Sequence, residues 1–277
     1  MPTTLSPELQ KHLSQLAPDA PMPALFVGHG NPMNAITNND YTETWQLLGQ
    51  HLPKPKAILV ISAHWLTEGT THIVTNAHPR TIHDFYGFPE ALHRIQYPAV
   101  GAPDLAAQII QMIENPPISG DEQWGLDHGA WCVLKPMFPA ANIPVLQLSL
   151  DIHSTPQQRY DLGKQLQTLR HQGVMLIGSG NLVHNLRQMN FKMPYQGYDW
   201  AQQYDTALAQ WIEQNDLPAL LDIEQLPSTA LAHPTLEHYW PLLYILGSRL
   251  ETERVWYFNE SLDLGSISMR SMVFSGN

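Results

Sequence analysis

Five histidines in this chain lie in short, distinctive strings, and their placement indicates metal chemistry. They are His29 in VGHGNPM, His64 in VISAHW, His128 in GLDHGAW, His184 in SGNLVHN and His238 in PTLEHYW. Imidazole is the commonest protein ligand for a transition metal, and it is also the side chain that titrates near neutrality. Histidines that follow apolar segments therefore predict a metal centre with a proton-transfer partner.

The elements that must position these histidines alternate between apolar runs and helical patterns. The apolar runs are 24–27, 57–62, 72–75, 145–150, 174–178, 255–258 and 266–273. The helical patterns are 41–51, 103–114, 156–172, 198–214 and a segment from about 234 to 246. Runs that are nearly continuous in Ile, Leu and Val are typical of strands buried on both faces. The alternation predicts an α/β fold, a layered sandwich with a mostly parallel or mixed central sheet.

Local signals also divide the chain into segments. Thr155 and Pro156 are a helix start signal, and Gly173 is the corresponding stop. The first twenty residues, 1–20, are polar and amphipathic and predict an N-terminal helical arm. The remainder, 21–277, shows no linker, charge run or repeat. We therefore predict one catalytic α/β domain there.

Composition excludes several classes of partner. The chain carries 14 Lys and Arg against 25 Asp and Glu, a formal net charge of −11, which disfavours a nucleic-acid partner. Cys132 is the only cysteine, so the chain has neither an internal disulfide nor a cysteine-based zinc site. The sequence shows neither a signal peptide nor the ~18 apolar residues of a membrane span. We expect a cytoplasmic protein without membrane contact.

His29 follows a predicted strand and His64 ends another, AILVISAHW, at the carboxyl ends where open α/β sheets bind their ligands. Gly28 and Gly30 beside His29 permit a tight turn and a close backbone approach. Each histidine alone is equally consistent with a hydrogen-bonded core residue. Two neighbouring strand ends, however, can bring both imidazoles to one ion.

His184 follows the strand that ends in GSGN, and His238 follows a helix-start signal at Pro234 and Thr235. Glu237 is a further potential ligand, or a charge favoured at a helix N-terminus. Because adjacent helical residues point about 100° apart, Glu237 and His238 cannot easily bind one ion.

His128 lies in a half-apolar loop beside Asp127, a setting that suits acid–base work. The alternative is a structural turn histidine. His83 and Asp84 are a weaker candidate pair that could line a pocket, and His233 is expected behind a ligand or at the surface.

At these residues the chain resembles a known family. GHGNPM, SAHW, TIHDFYGFP, WGLDHGAW, SGNLVHNLR and PTLEHYWPLLY occur in this order and resemble the 4,5-DOPA (DODA-type) branch of the LigB, or class III, extradiol ring-cleaving dioxygenases. The likeness extends from about Met22 onward. It implies an α/β sandwich with a mixed central sheet.

The resemblance also implies roles for the histidines. His29, His64 and His238 match the residues that bind a divalent metal, and His184 is grouped with them, either as a fourth ligand or as a contact behind the ligands. His128 corresponds to the acid–base residue of the wider family. The implied substrates are a small aromatic diol, a catechol such as DOPA, and dioxygen.

The identity of the metal and two other functions stay open at this stage. An all-histidine set suits Zn²⁺ as well as Fe²⁺, and zinc has no redox chemistry. We therefore expect zinc in a purified sample and Fe²⁺ for turnover. One alternative is a zinc-dependent hydrolase or amidase that uses a metal-bound water with Asp127 or Glu237 as base. The other is a non-catalytic metal-binding relative.

Overall fold

The structure is a computed structural model that describes residues 5–276. The strands are β1 (Ala24–Gly28), β2 (Ala57–Thr67), β3 (Thr71–Val74), β4 (Ile118–Asp121), β5 (Val145–Asp151), β6 (Val174–Gly180), β7 (Arg254–Phe258), β8 (Leu262–Asp263), β9 (Ile267–Ser268) and β10 (Ser271–Ser275). The helices are α1 (Pro7–Ser14), α2 (Asp40–His51), α3 (Glu90–His93), α4 (Pro103–Met112), α5 (His128–Met137), α6 (Pro156–His171), α7 (Asp199–Gln214), α8 (Leu217–Leu221), α9 (Thr229–Ala232) and α10 (Trp240–Ser248). Three short 3₁₀ turns cover Pro32–Ala35, Leu186–Gln188 and Ile223–Gln225.

Eight of the strands form one sheet in the order β4-β3-β5-β2-β6-β1-β10-β7. The central strands β5, β2, β6 and β1 are parallel to one another. The flanking strands β10 and β3 pair antiparallel with β1 and β5. The predicted α/β fold with a mixed central sheet is therefore confirmed.

The sheet is covered on both faces because successive side chains of a strand point to opposite faces, and strands such as β2 carry apolar side chains on both. In β2, Leu59 and Ile61 join one hydrophobic cluster with residues of α4, α6, α7 and α10. Ile58 and Val60 point the other way and join a second cluster with residues of α1, α2 and α5. This double burial explains the continuous Ile, Leu and Val runs of the sequence.

The predicted caps of α6 are confirmed. The Thr155 hydroxyl accepts a hydrogen bond from the Gln158 N–H, and the Gln158 side chain accepts one from the Thr155 N–H. Gly173 follows the helix with a φ of +89°, a conformation that glycine adopts without strain. The helix thus runs from cap to cap and delivers the chain directly into β6.

The helix predicted from about residue 234 begins later, at Trp240. Pro241 is tolerated in the first helical turn but would lack a hydrogen-bond donor inside a helix that began at Pro234. The chain instead turns, and the Tyr239 N–H donates to the Leu236 carbonyl at 2.9 Å. His238 therefore lies in a turn before α10 and not on the helix.

His128 also differs in its setting, because it begins α5 and does not lie in a loop. Asp127 caps this helix, and its carboxylate accepts a hydrogen bond from the Ala130 N–H at 3.1 Å. The helix start fixes the backbone of His128, which a loop would not do.

The N-terminal segment packs on the main body of the fold. Leu9 and Leu13 of α1 are buried in the cluster that contains α2 and α5. Residues 1–4 of the predicted arm and residue 277 lie outside the described residues, and the division into arm and single domain stays a prediction. Among residues 5–276, no helix combines the length and the apolar character that crossing a bilayer requires.

Candidate metal centre

The structure brings all five singled-out histidines together at one edge of the sheet. The ring centroids of His29, His64 and His238 lie 5.0–5.3 Å from one another. The His128 ring lies 3.9 Å from that of His64, and the His184 ring lies 3.4 Å from that of His238. Residues far apart in sequence thus form one cluster of imidazoles.

His29 follows β1 and is held by a serine on the neighbouring strand β6. The Ser179 hydroxyl donates its only proton to the Gly129 carbonyl at 2.6 Å, so it accepts from the His29 Nδ1–H at 3.0 Å. Nδ1 therefore carries the proton, and Nε2 of His29 keeps its lone pair for a ligand.

His64 lies inside β2, at a register shift between Ile61 and Leu66. Such an irregularity redirects side chains at the rim of a sheet. The backbone N–H of His64 donates to the Ser62 hydroxyl at 3.2 Å. The Nε2 atoms of His64 and His29 are then 3.1 Å apart.

Glycine is required where α5 passes this point. A Cβ atom on Gly129 would lie 2.9 Å from Cδ2 of His64 and would overlap the Ser62 hydroxyl. The absence of a side chain at Gly129 lets the first turn of α5, with His128, approach His64 closely. This contact places the imidazole of His128 beside that of His64.

His238 is oriented by its neighbour in sequence. Its Nδ1 lies 3.1 Å from the Glu237 carboxylate, which also accepts from the Thr235 hydroxyl at 3.0 Å. The Nε2 atom of His238 is buried and has no hydrogen-bond partner among residues 5–276. A carboxylate behind an imidazole is the usual support of a metal-binding histidine.

His184 packs face to face on His238, with an angle of 8° between the ring planes. Its backbone N–H donates to the Ala232 carbonyl at 2.9 Å, and it forms an isolated bridge with Ile267. His233 is buried nearby and bonds the Leu182 carbonyl at 2.9 Å, so it supports the same segment from inside. His184 thus joins the cluster by stacking on the ring of His238.

His128 is bound by Asp84 at two points. One carboxylate oxygen accepts from the His128 backbone N–H at 2.9 Å, and the other lies 2.9 Å from its Nδ1. Burial alone would raise the pKa of Asp84, but these hydrogen bonds and the nearby charge of His128 hold the pKa of the carboxyl below its usual value. The sequence made Asp84 only a weak candidate, and its contact with His128 is what shows that it belongs to the site.

Asp127, the neighbour of His128 in sequence, has its carboxylate fully engaged in hydrogen bonds outside the histidine cluster. Its buried carboxylate accepts from Ser62, from the Ala130 N–H and from Gln147. Burial raises the pKa of Asp127 to about 6. A carboxylate occupied in this way serves the packing of β2 against α5 and is not available as a general base.

Four histidines of the cluster are held in the neutral form, which is the form that binds metal. Burial, with the positive charge of neighbouring imidazoles, lowers the pKa of His29, His64 and His238 well below the usual value. Burial likewise lowers the pKa of His184 to about 3. Metal ions bind neutral imidazole, so no proton has to be displaced at neutral pH.

The donor set fits a divalent transition metal. Two nitrogens bound at about 2.0–2.1 Å to one ion lie roughly 3 Å apart. The separation of 3.1 Å between Nε2 of His29 and of His64 meets this requirement. Two groups of possible ligands lie within 4.8 Å internally: His29, His64 and His128, and His184, Glu237 and His238. The predicted ligands are therefore drawn from both groups.

Comparison with known proteins identifies the family. Residues 22–261 match the family described as the catalytic LigB subunit of aromatic ring-opening dioxygenase. The chain belongs to the LigB family. LigB dioxygenases are metal-dependent, and the histidine cluster supplies the site that such an enzyme needs.

Relatives of this LigB enzyme cover nearly its whole length. It is 45% identical over 258 residues to a 4,5-DOPA dioxygenase extradiol of Escherichia coli K12, which covers 91% of this chain and 94% of that protein. A protein of the same name from Beta vulgaris is 36% identical over 262 residues, with 90% and 95% covered. The predicted membership of the LigB extradiol dioxygenases is confirmed.

A solved structure shares the fold. The crystal structure of an uncharacterized protein from Escherichia coli K12 superposes on this LigB enzyme with a TM-score of 0.77 and 38% identity, covering 91% of this chain and 99% of that one. The family match and the named relatives together show that the chain is an oxidoreductase that opens aromatic rings. The hydrolase and the non-catalytic alternatives are not favoured.

Proposed function

We propose that this LigB enzyme is an extradiol dioxygenase that opens the ring of a DOPA-like catechol. His29, His64 and His238 hold the divalent metal, and His128 accepts a proton from the substrate. The observation that carries the proposal is the approach of the Nε2 atoms of His29 and His64 to 3.1 Å, near the buried Nε2 of His238, which has no hydrogen-bond partner among residues 5–276.

For His184, the fourth predicted ligand, we propose a contact behind His238. An imidazole nitrogen binds a metal along its lone pair, in the plane of the ring. Because the two rings are nearly parallel and 3.4 Å apart, an ion in the plane of one ring lies well outside the plane of the other. The stack therefore supports His238 as the ligand and His184 as the ring that backs it.

Divalent iron, when bound, supplies the redox chemistry by which dioxygen reacts with an electron-rich aromatic diol. The imidazole set also suits zinc, which has no redox chemistry. We therefore propose Fe²⁺ as the metal of turnover and Zn²⁺ as the ion carried by a purified sample.

The part of His128 in this reaction is to handle a proton. With Nδ1–H directed at Asp84, the ring has its other nitrogen, Nε2, free to accept. Removal of a hydroxyl proton from the catechol makes the ring more electron-rich and prepares it for oxidation. Positioned general bases contribute about 10²–10⁴-fold to a rate.

Two observations support a small aromatic diol as substrate. Two relatives that align with this chain over more than nine-tenths of their own length carry the name 4,5-DOPA dioxygenase extradiol. The net charge of −11 disfavours nucleic acids and other polyanions. A cytoplasmic location is further proposed, supported by Cys132 as the single, unpaired cysteine.

The test is reconstitution with each metal in turn. The protein is stripped of metal, loaded anaerobically with Fe²⁺ or with Zn²⁺, and mixed with air and a panel of catechols that includes DOPA. We expect oxygen uptake and a yellow semialdehyde with Fe²⁺ and neither with Zn²⁺. Tyrosine, which has one ring hydroxyl, is the control substrate. If the Fe²⁺ form consumes no oxygen with any catechol, the proposal is wrong.

A further inference from the structure

The contact between Asp84 and His128 uses both oxygens of one carboxylate on one residue. Asp84 lies in the segment between β3 and α3, and its side chain is about one-fifth exposed. One oxygen bonds the His128 backbone N–H and the other bonds its Nδ1, each at 2.9 Å. We propose that Asp84 is a positioning residue that fixes His128 as the Nδ1–H tautomer, with Nε2 facing the metal centre. This inference rests on the proton-handling role proposed for His128.

The hydrogen-bond inventory determines the tautomer. A backbone N–H only donates, so the Asp84 oxygen opposite it must accept. An ionised carboxylate only accepts, so the second oxygen requires a proton on Nδ1 of His128. Whenever His128 is neutral, as a proton acceptor must be, its one ring proton is therefore on Nδ1 and Nε2 is the bare nitrogen.

Packing keeps the ring from turning over. The Phe85 ring meets the His128 ring edge-on, at a centroid distance of 5.6 Å and an angle of 83°. On another side the His64 ring lies 3.9 Å away. His128 is only 6% exposed, so both its position and its orientation are set by these neighbours.

Asp84 is hydrogen-bonded to His128 and not to His64. The same carboxylate oxygen that bonds His128 is 3.8 Å from Nδ1 of His64, beyond hydrogen-bond distance. The metal-binding side of the cluster thus keeps its own supports, which are Ser179 for His29 and Glu237 for His238. Loss of the Asp84 carboxylate should leave metal binding in place.

Asp84→Asn tests the inference because it inverts one hydrogen bond without changing the size of the side chain. The amide oxygen of asparagine must still accept from the His128 backbone N–H. The amide NH₂ then faces Nδ1, which must become an acceptor and give its proton to Nε2. The variant is therefore expected to switch His128 to the other tautomer.

The tautomer is measured directly by ¹⁵N NMR of the histidine-labelled, metal-free full-length chain. The signals of His128 are those missing from a His128→Ala spectrum. We expect Nδ1–H in the wild type and Nε2–H in Asp84→Asn. A wild-type His128 that is protonated on Nε2 overturns the proposal, even if the variant were not to fold.

The kinetic test is a double-mutant cycle on the Fe²⁺-loaded enzyme. We expect kcat of Asp84→Asn to fall by about 10²-fold or more, within the range of general acid–base catalysis, at unchanged metal content. In the His128→Ala background the same substitution should have no further effect on kcat. Equal losses in both backgrounds would show that Asp84 does not act through His128.

A matched control is the exposed pair of Glu68 and His153, 3.3 Å apart. Glu68→Gln removes a carboxylate beside a histidine outside the cluster and should leave kcat unchanged. If the wild type consumes no oxygen with any catechol, the proposed function fails, and the NMR measurement still decides the role of Asp84. The two failures are therefore distinguishable.

Discussion

Two pairs of histidines in the metal centre differ in how their rings meet. His29 and His64, carried by the two strands on either side of β6, approach edge to edge, with their Nε2 atoms 3.1 Å apart. His184 and His238, from two irregular segments, stack face to face at 3.4 Å. The first arrangement brings two Nε2 atoms to the separation expected for two ligands of one ion. In the second, an ion in the plane of one ring would lie outside the plane of the other.

The difference follows from the elements that carry each pair. His29 directly follows β1 and His64 lies inside β2, and both strands are hydrogen-bonded to β6 over several residues. His184 and His238 lie in irregular segments that are hydrogen-bonded to each other through their backbones. The Asn181 N–H, three residues before His184, donates to the His238 carbonyl at 2.9 Å. The strands thus set the direction of the His29 and His64 side chains, whereas the packing of the two irregular segments sets the distance between the His184 and His238 rings.

The largest effect is expected from breaking the edge-to-edge pair. His29→Ala removes one of the two converging nitrogens, and we expect a loss of metal affinity greater than the ~100-fold that follows loss of a supporting partner. Zn²⁺ affinity is measured by competition with a chelator. His72→Ala is the control, because His72 is half-buried on β3 and outside the cluster. A variant that binds zinc as tightly as the wild type would exclude His29 as a ligand.

An intermediate effect is expected from loosening the support of the stacked pair. Glu237→Ala removes the carboxylate that orients His238, and zinc affinity should fall about 10–100-fold. The exposed Glu224, on a 3₁₀ turn, offers the matched control Glu224→Ala. An unchanged affinity in Glu237→Ala would mean that Glu237 does not position His238.

The smallest effect is expected from removing the backing ring. An aromatic stack contributes about 0.5–1.5 kcal/mol, which corresponds to roughly tenfold or less in affinity. We therefore expect His184→Ala to lower zinc affinity less than Glu237→Ala does, in the same chelator competition. A loss as large as that of His29→Ala would make His184 a ligand and would remove the distinction between the two pairs.

Much of the fold was predictable because it is local. The apolar runs at 24–27 and 174–178 became β1 and β6, with boundaries extended by two residues or fewer. β4 escaped prediction because Ile118–Asp121 is short, partly exposed and only one of its residues is buried. The late start of α10 was foreseeable from Pro241, which a helix begun at Pro234 could not contain.

The candidate site was predictable in its members and less so in its connections. His29, His64, His128, His184 and His238 were all identified by their strings, and the structure brings them together. Asp84 and Ser179 were not identified as partners of particular histidines. Each lies more than forty residues from the histidine it bonds, so no sequence spacing links them.

The sequence by itself determined the residue types of the centre, the alternation of strands and helices, and the family. Histidine chemistry and continuous apolar runs are properties of short stretches of sequence, so they can be recognised without reference to the rest of the chain. Tertiary structure alone decided which ring nitrogen of His29, His128 and His238 is left free for a ligand. That choice depends on the hydrogen-bond partner of the other ring nitrogen, and for His29 and His128 the fold brings that partner from a distant part of the chain.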